Sequence, residues 1–123
     1  MTDTVAKPGA PKPWDSALVR TWLEARIVAA ASEQTTADRR GYAARDDYDL
    51  AAAEEWVCRA VKAAAGEQAT FAARIKDLLA QDEYSATGAH DDRRFERHIR
   101  ANLRKLAKMT KANLGFENTL HFQ

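Results

Sequence analysis

Apolar side chains recur at three- to four-residue spacing in four separate segments of this chain, and that repetition limits the possible folds more than any other feature. Leu18, Trp22, Leu23, Ile27 and Ala30 share one face of a helix running to about Glu33, with Arg20, Glu24 and Ser32 on the outer side and Arg26 able to take either. Leu50, Ala53, Trp56, Val57, Ala60, Val61 and Ala64 form a second stripe, and Phe71, Ile75, Leu78 and Leu79 a third, over 68–81. Phe95, Ile99, Leu103, Leu106 and Met109 form a fourth. A common helical period predicts an all-α fold, a four- to five-helix bundle in a single domain, with Trp22, Trp56, Phe71, Ile75, Phe95, Ile99 and Leu106 buried together. With 123 residues, 46% of them hydrophobic, the chain has room for one modest core and no second domain.

The punctuation divides the chain further. Pro8, Gly9, Pro11 and Pro13 with Lys7 and Lys12 make residues 1–13 an extended arm, and Trp14 opens the bundle, 14–116. Asp15 or Ser16 is placed to cap the first helix. Gly41 and its clustered charges predict a loop or a poorly sustained helical turn over 35–49, with Asp47 or Asp49 capping the second helix and Glu54 and Glu55 in its early turns. Gly66 marks a break or kink between the second and third helices. Residues 82–91 read as a loop, with Asp91 or Asp92 capping the last helix. The tail 117–123 resembles the recognition sequence ENLYFQ of a viral protease, with Thr119 inserted and His121 in place of tyrosine, and carries no functional argument.

Charge is distributed unevenly. Residues 1–90 hold 11 Lys/Arg against 14 Asp/Glu, whereas residues 91–123 hold 8 against 4, so a net charge of +1 conceals a cationic C-terminal third. Within the fourth helix Arg93, Arg97, Arg100, Arg104, Lys108 and Lys111 fall at spacings of 4, 3, 4, 4 and 3, a single stripe opposite the apolar face, with Lys105 beside it. The stripe extends roughly 27 Å at 1.5 Å per residue. Such a row suits a phosphate backbone; it also suits a solvated face whose charges neutralise neighbouring carboxylates. A second cluster, Arg39, Arg40 and Arg45 around Tyr42, is the composition with which proteins stack on unpaired bases while gripping the backbone. Its structural alternative is a core tyrosine whose arginines pair with Asp46 and Asp47.

Catalytic chemistry finds little support. His90, His98 and His121 lack a supporting cysteine pair, the lone Cys58 lies on a helical pattern as a small buried thiol, and no phosphate-binding glycine loop or nucleophile elbow occurs. A non-enzymatic protein without metal or cofactor is expected. No apolar stretch has signal-peptide or membrane-spanning length, which predicts a cytoplasmic protein; lipid-surface binding by the last helix is the lesser alternative.

In size, helix number and the 93–111 stripe, the chain resembles the small all-helical subunits of CRISPR effector complexes. That resemblance implies a ribonucleoprotein subunit in antiviral defence, its stripe contacting the backbone of single-stranded nucleic acid or of a guide–target duplex. It also implies protein partners, including further copies of the chain whose basic stripes meet the acidic run 46–55. The alternative from another class is a helical adaptor or phage-type inhibitor binding an acidic protein surface. A helix-turn-helix reader is disfavoured, because a ten-residue break precedes the basic helix where that motif has a turn of about 3–4.

Overall fold

The computed structural model describes residues 13–82, 84, 92–113, 115 and 116. Four α-helices follow one another: α1 (Ser16–Arg40), α2 (Arg45–Lys62), α3 (Gln68–Leu79) and α4 (Asp92–Ala112), with a 3-10 turn at Tyr42–Ala44 between the first two. The fold is all-α, and the described residues contain no strand.

Helix α1 begins where expected: the Asp15 carboxylate accepts from the Leu18 amide at 3.0 Å. It ends seven residues later than expected. The stretch 34–40 remains helical because Ala37 is buried and Gln34 donates to Glu55 Oε1 at 2.6 Å, tying the polar end of α1 to α2. Arg39 and Arg40 then suit the negative end of the helix dipole. Gly41, at φ 82° and ψ −159°, turns the chain through backbone space that side-chain-bearing residues avoid. The expected 35–49 loop is thus one glycine and one 3-10 turn.

Helix α2 starts at Arg45, so Asp47 and Asp49 lie inside it and do not cap it; its N-cap is Ala44, without a side-chain bond. It is the central helix, flanked by α1 and α4, which explains a buried surface wider than one stripe: Ala51, Ala52, Ala53, Glu54, Val57, Cys58 and Val61. Alanines admit close neighbours on both sides. Leu50 is correspondingly an exception, 47% exposed near the corner, and Leu18 lies at the rim of the other end while Val19 takes the core position. The chain breaks after Lys62, as Gly66 predicts, and α3 buries Phe71, Ile75 and Leu78 against α4.

Trp22, Phe71, Ile75, Phe95, Ile99 and Leu106 are all in the core, joined by Phe116, which packs edge-on against Trp14 and Trp22 at 5.7 and 5.3 Å between ring centroids. Trp14 Nε1 donates to the Ala65 carbonyl at 2.9 Å, fixing the entry to α1 beside the α2–α3 turn. Trp56 departs from expectation: it is half-buried, edge-on to Tyr84 at 5.4 Å. The arm up to residue 12, most of the 82–91 loop, the Asp91 cap, His90 and the tail lie outside the described residues.

Two buried charged contacts sew the helices together. Arg26, the residue free to take either side, faces inward and meets Glu54 through two 2.9 Å bonds, Nε to Oε2 and Nη2 to Oε1. Burial pushes the Glu54 carboxyl up against the pull of the guanidinium, while Glu54 raises Arg26. Glu54 is therefore not an early-turn dipole residue but the α1–α2 crosslink. Asp49, 1% exposed, accepts from Arg94 Nε at 2.7 Å and ties α2 to α4.

Candidate nucleic-acid interface

Eight basic residues lie on α4, and the helix sorts them by direction. Phe95, Ile99, Leu103 and Leu106 face the core together with Asn102 and Thr110. On the opposite side Arg93, Arg97, Arg104, Lys108 and Lys111 are exposed, and among the described residues none of the five forms an ion pair. Their successive axial separations are about 6, 10.5, 6 and 4.5 Å.

The remaining three are engaged. Arg94 lies about 100° around the helix and reaches both Asp49 and, at 3.4 Å, Asp46. Lys105 lends its charge to the buried Glu54 carboxylate. Arg100, expected at the centre of the stripe, turns toward the end of α3 instead: Nη1 donates to the Leu79 carbonyl at 3.0 Å and Nη2 to that of Gln81 at 2.9 Å. Its guanidinium also sits 5.1 Å from the Tyr84 ring centroid, while the Tyr84 hydroxyl donates to the Leu78 carbonyl at 2.7 Å. Arginine and tyrosine together satisfy carbonyls that a helix end leaves without intrahelical partners.

The corner at Gly41 presents the second cluster. Tyr42 is 78% exposed, so it does not close the core; Ala44 does, at 1%. The Arg45 guanidinium carbon lies 3.9 Å over the Tyr42 ring centroid. Arg40 pairs with Asp47 at 3.1 Å, and Arg39 is exposed. His98 Nε2 is 3.2 Å from Asp46, the residue after Arg45, so the corner abuts the first turns of α4.

The acidic run 46–55 is occupied within the chain. Asp46 meets Arg94 and His98, Asp47 meets Arg40, Asp49 meets Arg94, Glu54 meets Arg26, and Glu55 accepts from Arg59 at 2.7 Å. Each of these carboxylates thus already has a basic partner within the chain.

Cys58 is fully buried and its thiol is pushed up to about 12 by desolvation, which makes it a poor nucleophile at neutral pH. Among the described residues no group of three or more His, Cys, Asp and Glu could hold a metal ion, and no helix is long and apolar enough to cross a membrane. Together these features define a small all-α protein with one amphipathic, cationic helix. No family profile, curated protein or solved structure matches the chain.

Proposed function

We propose that this protein is a non-catalytic helical subunit that holds nucleic acid by its phosphate backbone through the solvent face of α4, within a larger ribonucleoprotein of which the CRISPR effector small subunit is the specific form. One observation carries the reading. Five exposed cations share a face without carboxylate partners among the described residues, while Arg94 and Arg100 of the same helix are hydrogen-bonded within the fold and the exposed Lys105 acts on the Glu54 carboxylate from a distance. If α4 served only to neutralise the neighbouring helices, its cations would be paired with them; among the described residues these five meet no carboxylate, which suits an external polyanion. Long flexible side chains in a row favour contact with phosphates over the reading of base edges.

The test is a salt titration of binding to a labelled single-stranded oligonucleotide, followed by fluorescence anisotropy. Five neutralised phosphates give a slope of log K against log salt near −3.5, and Arg97→Ala with Arg104→Ala should flatten it to about −2. A double variant that binds as tightly with an unchanged slope would remove the nucleic-acid reading. A helical adaptor with an acidic protein partner would then be the better account.

A further inference from the structure

The geometry points to Tyr42 as a stacking platform for an unpaired base at the Arg93–Arg97 end of α4, so that the ligand is single-stranded nucleic acid and not duplex. This inference rests on the backbone-contact reading of α4 and adds the chemical class of its ligand.

Three observations support it. First, the Tyr42 ring is presented outward by a corner built at local cost: Gly41 occupies a conformation reserved for glycine, and α2 starts without a side-chain cap. Second, Arg45 is the first residue of α2, where the helix dipole disfavours a cation, yet its guanidinium stays at 3.9 Å over one face of the tyrosine. With that face covered the residue is still 78% exposed, so the other face is open. An open aromatic face backed by a guanidinium is a surface onto which any base can stack. Third, the corner is anchored to α4 through Asp46, which lies 3.2 Å from His98 and 3.4 Å from Arg94. Arg93 and Arg97 adjoin these two residues in sequence, so a strand held by them lies on the turns of α4 that the corner contacts.

The charges at the corner identify what kind of contact it offers. Residues 38–47 hold Arg39, Arg40 and Arg45 against Asp38, Asp46 and Asp47, and Asp46 and Asp47 are both paired. A locally neutral corner contributes little to phosphate attraction. Its contribution is stacking, which a base inside a duplex cannot accept without being unstacked first.

Stacking and counterion release leave different marks, and the experiment reads both. The full chain, Tyr42→Ala and Tyr42→Phe are titrated with a single strand and with a blunt duplex of the same sequence across a range of salt, alongside thermal melts. Tyr42→Ala should weaken the single strand by about 5- to 150-fold, the equivalent of one lost stacked base, with the salt slope and the duplex affinity unchanged. Tyr42→Phe should keep near-parental binding, and neither variant should melt earlier. Equal losses on single strand and duplex, a loss in Tyr42→Phe as large as in Tyr42→Ala, no loss at all, or an early melt would each overturn the platform. A parent that binds neither ligand would instead defeat the α4 reading, and the platform with it.

Discussion

Arg100 and Arg104 are four residues apart on one helix, and replacing each by alanine should have opposite consequences. Arg100 donates two hydrogen bonds to carbonyls at the end of α3 and lies over Tyr84. A bond from a charged donor contributes about 1.5–3 kcal/mol when buried. Arg100 keeps 26% of its side chain exposed, and freed carbonyls at a helix end can take up water, so about 1 kcal/mol per bond is the appropriate figure. The aromatic contact adds about 0.5 kcal/mol, and the 3.7 Å approach to Glu96 adds little at such exposure. Arg100→Ala should then cost about 2.5 kcal/mol and lower Tm by about 10 °C for a domain near this size. Arg104 is exposed without an ion pair among the described residues, so Arg104→Ala should change stability by no more than about 0.5 kcal/mol. In binding the order reverses, with Arg104→Ala lowering the salt slope by about 0.7 and Arg100→Ala leaving it nearly unchanged once folding is complete. Urea unfolding followed by tryptophan fluorescence, with anisotropy at several salt concentrations, measures both quantities. Equal stability of the two variants, together with equal flattening of the slope, would mean that Arg100 belongs to the ligand face and that its bonds to α3 are incidental.

Two further outcomes follow from the core and the corner. The Cys58 thiol is raised from 9.0 to about 12 in the fold, so its stability contribution is complete below pH 9 and is lost as pH rises through the 9–12 window, because only the unfolded thiol ionises there. Between pH 8 and 10 the parent should therefore lose about 1.4 kcal/mol more than Cys58→Ala in urea unfolding; parallel profiles would show that Cys58 is hydrated in the fold. Tyr84, also raised by burial, adds a decline of the same sign to both proteins. Gly41→Ala meets nothing within 4 Å, so its whole cost is conformational, about 1–3 kcal/mol. A urea midpoint unchanged by that substitution would mean that the corner relaxes to another turn.

Helical period alone located all four helices, because each buries one face against neighbours and the alternation is carried by large side chains such as Trp22, Phe71 and Ile99. It failed where the residues are small or polar. The 34–40 segment offers Thr35, Thr36 and Asp38, weak helix formers with one buried alanine, and what keeps them helical is a long-range bond from Gln34 to Glu55 that local sequence does not contain. Charge sign was equally local information. Glu54 beside Glu55 reads as an ordinary helix-dipole pair, and only the antiparallel packing of α1 on α2 brings Arg26 to it, 28 residues away in sequence.

The angular rule for α4 correctly separated Arg94 from the stripe, since a 100° offset places it on the side of α2. It could not separate Arg100, whose direction is right but whose reach crosses to carbonyls at the end of a neighbouring helix, a tertiary contact that no local pattern contains. The consequence is a change in the form of the proposed interface. Without Arg100 the six-residue row becomes two patches, Arg93–Arg97 and Arg104–Lys108–Lys111, with about 10.5 Å of helix between their facing members. On the proposed reading a strand would be gripped at two places, the first of them on the turns of α4 that Asp46 contacts through Arg94 and His98. The patch of three supplies most of the charge, whereas the patch of two shares its helix turns with the contacts of the Tyr42 corner, so affinity at low salt should depend chiefly on the former and discrimination between single strand and duplex on the corner.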